Sequence, residues 1–285
     1  MPVACLSNWG KKMSIELVAI DLDDTLLDST WKIPESCLEA ISQVQRKGVK
    51  VTLATGRMFR SAVPYARQLK VDIPLITYQG ALVKNSLSEE VLYYEPLPRK
   101  LATEIMIFFK ERGIFYQSYF NDCFCIERWS PEAQYYAELS GMEPWFHDDL
   151  IAVSREQDTP KILASIFDER LMLSIEEELN RRYGEELYIT RSKPVFLEVM
   201  KRSVDKGLAL KMLARYFGIP REKVLAFGDS YNDLAMIKWA GIGVAMGNAP
   251  EAVKEAADYL APSNEEDGVA RVLHELILDK NSNKG

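Results

Sequence analysis

The stretch IELVAIDLDDTL, residues 15–26, places a cluster of acidic residues directly after a short apolar run. Because the run at residues 15–20 is rich in β-branched side chains, it predicts a buried strand. Asp21 and Asp23 would then lie at the carboxyl end of that strand, where open α/β sheets bind ligands. Two carboxylates in one turn can serve as nucleophile and acid/base, and both suit Mg²⁺. A polar loop that caps a helix would explain the same residues, so this motif alone does not decide the function.

Strand-like and helix-like segments alternate after this stretch. The pattern predicts helices at residues 34–47 and 61–69, and strands at residues 49–54 and 74–77. Pro64 must either start or kink the second helix. After residue 205 the alternation returns, with a predicted helix at 205–216, a strand at 224–227, a helix at 232–240 and a strand at 242–245. This alternation predicts a doubly wound, mostly parallel α/β sheet, which is a Rossmann-like core.

The middle of the chain has a different pattern, in which strands neighbour each other in sequence. The predicted elements are, in order, helix 99–112, strands 114–120 and 123–127, helix 131–139, strand 161–167, helix 169–183, and strands 187–190 and 195–200. Neighbouring strands predict a mixed or antiparallel sheet with its own helices, an α+β layer. We therefore predict a core domain of residues 1–85 and 199–285 and an inserted cap domain of residues 86–198. The many aromatic residues of the insertion suit either a hydrophobic core or a lid over a substrate.

Composition and charge exclude some classes of protein. The chain has 285 residues and a net charge of −7, and its basic residues form no run longer than a pair such as Arg181-Arg182. Because nucleic acids are bound through clustered Lys and Arg, we expect no nucleic-acid partner. No uncharged stretch reaches the ~18 to 20 apolar residues that span a membrane, so we expect no membrane partner. Nothing in the sequence indicates an obligate protein partner.

The cysteines and the chain ends carry little information about function. The cysteines are Cys5, Cys37, Cys123 and Cys125. They lack the spacing of a disulfide framework or of a paired zinc motif, so reduced thiols in a cytoplasmic protein are expected. Residues 1–12 show no secretory pattern and are interpreted as a loose extension or the product of an upstream start codon. The polar tail at residues 279–285 is expected to fray.

Three more motifs follow predicted strands or open predicted helices. Ala54-Thr55-Gly56-Arg57 offers a hydroxyl and backbone N–H groups to a phosphate oxygen, and its glycine allows close approach. Lys206 opens a helix, where a cation is unfavourable unless an anionic ligand compensates it. The run at residues 228–233 offers Asp229 as a metal ligand and Asp233 as a supporting carboxylate. Each motif alone is ordinary turn chemistry, but parallel strands would bring all four motifs to one edge of the sheet.

In this combination, the sequence resembles the haloacid dehalogenase (HAD) superfamily, specifically its Cof-type phosphatases with a large inserted cap, subclass IIB. The resemblance covers residues 15 to about 278, with the four motifs in order and at familiar spacings. It implies a phosphatase for a small phosphorylated metabolite, with Mg²⁺ as cofactor and an aspartyl-phosphate intermediate. Many family members have Asn-Gly where this chain has Gln79-Gly80, a difference that concerns the hinge to the cap rather than the chemistry.

The resemblance also implies roles for individual residues. Asp21 would be the nucleophile and Asp23 the general acid/base. Mg²⁺ would be held by Asp21, Asp229 and the backbone carbonyl of Asp23. The other residues with implied roles are Thr55, Gly56, Lys206 and Asn232 at the phosphate, and Asp24, Gly228 and Asp233 in support.

Two alternatives share the same motifs. A phosphomutase would use the same core and nucleophile but would return the phosphoryl group to a sugar, with a bisphosphate activator. A non-enzymatic signalling module with a phosphorylated aspartate also combines Asp, Thr and Lys on a doubly wound sheet, but it is usually a single domain of ~100 to 150 residues. The sequence does not name the metabolite, for which sugar phosphates, a flavin-pathway phosphate and pyridoxal phosphate are all open.

Overall fold

Short apolar runs form a parallel sheet at the centre of the computed structural model, which describes residues 14–279. Its strands are β1 (Leu17–Ile20), β2 (Lys50–Leu53), β12 (Val224–Gly228), β13 (Ile242–Ala245) and β14 (Tyr259–Leu260). They lie in the order β14-β13-β12-β1-β2, and each neighbouring pair is parallel. The residues of β1, β12 and β13 are all buried, as expected for parallel strands covered on both faces.

Helices connect these strands and pack against them. They are α1 (Glu35–Arg46), α2 (Phe59–Gln68), α7 (Lys206–Tyr216), α8 (Leu234–Trp239), α9 (Glu251–Lys254) and α10 (Gly268–Leu273). The predicted α/β core is therefore confirmed. Helices α7 and α8 pack so closely that Gly207 has no room for a side chain, because a Cβ there would lie 2.5 Å from the backbone carbonyl of Ala235.

Two helices begin two residues away from the predicted position, whereas the other predicted helix boundaries agree to within one residue. Helix α2 begins at Phe59, two residues earlier than predicted, so Pro64 lies inside the helix and does not start it. The reason is a distant cap: Asp122 accepts hydrogen bonds from the backbone N–H groups of the first two residues of α2, both at 3.0 Å. The predicted helix at residues 232–240 is instead a short 3-10 turn, Tyr231–Asp233, followed by α8.

A small antiparallel sheet continues from the edge of the core. Its strands are β3 (Leu75–Thr77), β4 (Leu82–Lys84) and β5 (Val91–Tyr94), in that order. The sequence predicts β3 as a third parallel strand, and its parallel contact with the core is an isolated bridge between Ala54 and Ile76. The pairing of β3 with β4 and of β4 with β5 is antiparallel, and the sequence analysis did not predict β4 or β5.

The insertion forms a separate mixed sheet with helices, so the predicted α+β cap is confirmed. Its elements are α3 (Arg99–Glu111), β6 (Tyr116–Phe120), β7 (Cys123–Ile126), α4 (Pro131–Ser140), β8 (Trp145–Phe146), α5 (Leu150–Glu156), β9 (Ile162–Ser165), α6 (Glu169–Tyr183), β10 (Leu187–Lys193) and β11 (Phe196–Lys201). The strand order is β10-β11-β9-β6-β7-β8, and the pairs are antiparallel except for β7 with β8. The sequence analysis missed α5 and β8, which are short.

The division into residues 1–85 with 199–285 and residues 86–198 stays a prediction. Strand β11 of the cap sheet runs across the second of these boundaries. The predictions for residues 1–12, Cys5 and residues 280–285 lie outside the described part of the chain. Within residues 14–279, no helix combines the length and the apolar character needed to cross a membrane. The cysteines of the same residues form no disulfide.

Candidate active site

The carboxyl ends of β12, β1 and β2 lie side by side. In the parallel register, Ile20 is opposite Phe227 on one side and opposite Leu53 on the other. The residues that follow these three strands therefore leave the sheet at the same edge. This register brings Asp21, after β1, close to Asp229, after β12, as the sequence predicts.

A cavity of about 60 Å³ lies at this edge, between the core and the cap. The core residues that line it include Asp21, Asp23, Gly56, Arg57, Asp229 and Asn232. The cap residues that line it include Tyr136, Lys161, Ser192, Lys193, Phe196 and Glu198. Because one water needs about 10–15 Å³ of such space, the cavity suits a group the size of phosphate but not a whole sugar phosphate. The cap is therefore closed over the core in this structure.

Lys206 joins the predicted nucleophile to a second carboxylate. Its Nζ donates hydrogen bonds to Asp21 Oδ1 and to Asp233 Oδ1, both at 2.6 Å. Burial disfavours the charge on Lys206, but the two carboxylates outweigh this effect and raise its pKa. Lys206 therefore remains protonated. Among residues 14–279, no partner is found for its third N–H group.

Three carboxylates, two of them buried and that of Asp229 partly buried, are close enough to share a metal ion. One oxygen of each of Asp21, Asp229 and Asp233 lies within 4.8 Å of the others. Burial raises the pKa of Asp21, and burial together with the charge of Asp233 raises the pKa of Asp229 to about 8. These shifts indicate that the cluster lacks positive charge, which a divalent cation would supply. Carboxylate oxygens are also the ligands that Mg²⁺ prefers, so the residues fit this metal.

Asp233 differs from the other two carboxylates because both of its oxygens are already hydrogen-bonded. Oδ1 accepts from Lys206, and Oδ2 accepts from the backbone N–H groups of Asp229 and Ser230 at 3.1 and 3.0 Å. Gly228 makes this arrangement possible, because a Cβ at that position would lie 2.4 Å from the Cβ of Asp233. Asp233 therefore holds the loop that carries Asp229, and it has little capacity left for direct metal binding.

Asp23 forms a bidentate ion pair with Arg57. The guanidinium donates from Nε to Oδ2 at 2.9 Å and from Nη2 to Oδ1 at 2.6 Å. Burial raises the pKa of Asp23, but the hydrogen bonds and charge of Arg57 outweigh burial and lower it overall. In this conformation the Asp23 carboxylate can accept a proton. To donate one, it must first be released from its ion pair with Arg57. The Asp23 carboxylate is not part of the metal-binding cluster.

In the turn after β2, Gly56 lines the cavity, whereas Thr55 is buried away from it. Thr55 is fully buried, does not line the cavity, and accepts a hydrogen bond from the backbone N–H of Arg57 at 3.1 Å. Gly56 lines the cavity and lies against Gln79, since a Cβ on Gly56 would be 2.4 Å from Gln79 Nε2. A side chain at position 56 would therefore displace the amide of Gln79.

Asn232 lines the cavity, and one of the two N–H groups of its amide nitrogen is already hydrogen-bonded. Nδ2 donates to Gln79 Oε1 at 3.0 Å, and Asn232 Oδ1 has no partner among residues 14–279. A phosphate oxygen needs a donor, and the second N–H group of Nδ2 is the donor that Asn232 could still offer to it. That role stays a prediction.

Asp24 connects the core to the cap at the edge of the cavity. Lys193, at the end of β10, donates to Asp24 Oδ2 at 2.9 Å. The backbone carbonyl of Asp24 accepts from Asn248 Nδ2 at 2.7 Å, and Asp24 adopts a left-handed conformation with φ of 60°. Asp24 thus contacts the closed cap, and the supporting role implied for it stays a prediction.

Sequence reasoning missed a buried ion pair beside the cavity. Lys161 Nζ donates to Glu198 Oε1 and to the carbonyl oxygen of Gly56, both at 2.7 Å. The available signal was a charge within an apolar run, KILA for Lys161 and FLEVM for Glu198. Arg57 was also given no role, although it belongs to a motif that the sequence analysis identified.

Residues 18–273 match the family of haloacid dehalogenase-like hydrolases, and the chain belongs to this family. It is a Cof-type member, and its relatives identify it as a phosphatase. This membership argues against the alternative of a non-enzymatic signalling module.

Relatives match over nearly the whole chain. The chain is 34% identical over 279 residues to 5-amino-6-(5-phospho-D-ribitylamino)uracil phosphatase YcsE of Bacillus subtilis, covering 96% of this chain and 100% of that protein. A solved haloacid dehalogenase-like hydrolase from Bacteroides thetaiotaomicron is 33% identical, with a TM-score of 0.84 and coverage of 93% and 100%. The structure of a HAD subclass IIB sugar phosphatase is 26% identical, with a TM-score of 0.79 and coverage of 91% and 98%.

Proposed function

We propose that this phosphatase hydrolyses a small phosphorylated metabolite with the help of Mg²⁺ and through a phosphorylated Asp21. The observation that carries the proposal is the position of Asp21, which lines a phosphate-sized cavity while Lys206 fixes one of its oxygens. No hydrogen bond from residues 14–279 reaches the second oxygen of the Asp21 carboxylate, so that oxygen is available for attack.

In the first step, a carboxylate oxygen of Asp21 attacks phosphorus, and the bond from phosphorus to the leaving alcohol breaks. Asp23 gives its proton to the alcohol oxygen, which requires Arg57 to release the carboxyl group first. Lys206 stabilises the negative charge of the phosphoryl oxygens with its remaining N–H group.

In the second step, Asp23 accepts a proton from water, and the resulting hydroxide attacks phosphorus. The bond from phosphorus to Asp21 breaks, which restores the carboxylate and releases inorganic phosphate. The ion pair with Arg57 favours this step, because it stabilises Asp23 in the deprotonated form that a base requires.

Mg²⁺ would be held by Asp21 and Asp229, with the backbone carbonyl of Asp23 as a further ligand. When bound, it would offset the charge that the carboxylates and the phosphoryl group bring together. Asp233 and Gly228 maintain the loop that carries Asp229.

The size of the cavity and the similar proteins support the proposed substrate class. Only a phosphate-sized group fits below the closed cap, so the leaving group must be admitted by a movement of the cap. A sugar phosphatase and a ribitylaminouracil phosphatase are among the similar proteins, and both names denote small polyhydroxylated substrates. We extend this class to the present chain, together with a cytoplasmic location and action without an obligate protein partner.

The test is phosphate release from a panel of sugar, polyol and pyridoxal phosphates, with Mg²⁺ and with a chelator. We expect chelator-sensitive release that does not need a bisphosphate activator, and a loss of at least about a thousandfold in Asp21→Asn. Phosphate transfer that depends on an activator would favour the phosphomutase instead. Metal-dependent turnover retained in a folded Asp21→Asn variant would exclude Asp21 as the nucleophile.

A further inference from the structure

A chain of buried hydrogen bonds connects the cap to the core beside the cavity. Glu198 Oε1 accepts from Lys161 Nζ at 2.7 Å and from Ser192 Oγ at 2.9 Å. Glu198 Oε2 accepts from Gln79 Nε2 at 2.7 Å, and Gln79 Oε1 accepts from Asn232 Nδ2 at 3.0 Å. We call Glu198, Gln79 and Asn232 the amide relay; each of them is more than 90% buried.

The carboxylate at one end of the relay fixes the direction of every hydrogen bond in it. A carboxylate paired with Lys161 only accepts hydrogen bonds, so Gln79 must present its nitrogen to Glu198. The oxygen of Gln79 then faces Asn232, which must present its own nitrogen in turn. What remains at the other end is Asn232 Oδ1, an acceptor, together with the second N–H group of Nδ2. The opposite orientation of the two amides would place the oxygen of Gln79 against the carboxylate.

The remaining acceptor has no protein partner. Asn232 lines the cavity, and its Oδ1 is one of four buried side-chain oxygen or nitrogen atoms without a partner within residues 14–279. A buried polar atom that lacks a partner is unfavourable, because it has lost its hydrogen bonds to water and gained none in the protein. A ligand that brings a hydrogen-bond donor to this place would restore such a bond.

The backbone at Gln79 supports a specific role for its side chain. Gln79 has a φ of 59°, in the left-handed region, where asparagine is more common than glutamine. The amide of an asparagine, one methylene shorter, would not extend as far towards Glu198 and Asn232. Strained positions of this kind are retained where the surrounding structure depends on them.

We propose that Asn232 Oδ1 accepts a hydrogen bond from a hydroxyl group of the substrate, and that Gln79 is the positioning residue that keeps Asn232 in this orientation. The inference rests on the proposed phosphatase function and deepens it, because it makes a hydroxyl donor near the reacting phosphoryl group a condition of specificity. The hydroxyl belongs either to the alcohol part of the substrate or to a protonated phosphate oxygen.

The experiment compares small probes with and without this donor, each ether carrying one additional methyl group. The probes are 2-hydroxyethyl, 3-hydroxypropyl and 4-hydroxybutyl phosphate and their methyl ethers. The value of kcat/KM is measured for the wild-type protein, for Gln79→Met, and for Gln117→Met as a control. Gln117 is also a fully buried glutamine of the described chain, and its Nε2 donates to Tyr119 Oη instead of the relay.

In the wild-type protein we expect at least one hydroxyl probe to exceed its methyl ether by about tenfold or more in kcat/KM. In Gln79→Met the ratio should fall to about one, because the Asn232 amide is then free to turn, whereas Gln117→Met should keep the wild-type ratio. A purely structural role of Gln79 would lower kcat/KM for both members of each pair equally and would overturn the proposal.

A second readout identifies the source of the hydroxyl. If the probes and their ethers are equal, the protonated phosphate remains, and wild-type kcat/KM should then fall as the pH rises through about 6, the second pKa of a phosphate ester. In Gln79→Met, kcat/KM should not fall over this pH range. Equal ratios together with equal pH profiles in all three proteins would overturn the inference.

The failure of the proposed function can be recognised separately. It would appear as an absence of phosphate release from every probe and from the metabolite panel. Binding of the probes to Asp21→Asn, with and without Gln79→Met, can be measured by calorimetry and does not need turnover. The same hydroxyl preference is expected in these binding constants, so the relay is tested in either case.

Discussion

The buried ion pair between Lys161 and Glu198 leads to a quantitative prediction for stability. Lys161→Met removes the only cation that contacts Glu198 within residues 14–279 and also deprives the Gly56 carbonyl of its donor. Both charged side chains are almost inaccessible, with exposures of 1% and 2%. Methionine has a similar length and fills the space, so the charge is the main change.

The expected loss follows from the burial of the partner that remains. Breaking one half of a buried pair costs about 3–5 kcal/mol, because the other charge is left without compensation. At about 2–4 °C per kcal/mol for a chain of this size, the midpoint of thermal unfolding should fall by about 10 °C.

The assay is thermal and urea unfolding of four proteins: wild type, Lys161→Met, Glu198→Gln and the double variant. In the double variant, the loss should be less than the sum of the single losses by about 1–3 kcal/mol. The matched control is Arg99→Met, which removes an exposed pair with Asp158 at 2.7 Å and should cost at most about 1 kcal/mol.

Two results would contradict this reasoning. One is a loss in Lys161→Met no larger than in Arg99→Met, which would mean that water reaches the pair. The other is strict additivity in the double variant, which would mean that the two charges do not interact across 2.7 Å.

Three further predictions concern the cap, the core and the metal. Lys193→Met removes the partly exposed contact with Asp24. It should raise KM and change the free energy of unfolding by less than about 1 kcal/mol. An unchanged KM would mean that this contact does not hold the cap closed. Gly243→Ala should lower the free energy of unfolding by about 2 kcal/mol or more, because the new Cβ would lie 2.1 Å from the carbonyl oxygen of Ile237. Urea unfolding of the variant measures this loss. Mg²⁺ at 100 times its Kd should stabilise the protein by about 2.7 kcal/mol in calorimetry, and Asp229→Asn should abolish most of this gain.

The sequence alone was sufficient for the fold class. The core strands and helices follow from hydrophobic periodicity, which is a local property, and the predicted strand at residues 242–245 and helix at 169–183 coincide with the structure. The motifs could also be predicted from the sequence, because Asp21 and Asp229 each follow directly after a buried strand. Parallel register then requires them to meet at one edge, and the structure shows that they do.

The start of helix α2 could not be predicted in this way. Its cap is Asp122, which is more than sixty positions away along the chain, so no local signal marks Phe59 as the first helical residue. Short elements with weak periodicity, such as the exposed strand Trp145–Phe146, were missed for a related reason. Their conformation depends on the sheet that receives them.

The tertiary structure decided which way the side-chain amides of the site are oriented. The sequence marks Asn232 and Gln79, but not which atom of each amide faces which neighbour. That choice depends on Glu198, which pairs with Lys161, a residue just before strand β9 of the cap. Local sequence therefore determined which chemical groups are present, through patterns that need only nearby residues. Only the folded chain determined their orientation, because hydrogen bonds and ion pairs depend on distances between residues far apart in the sequence.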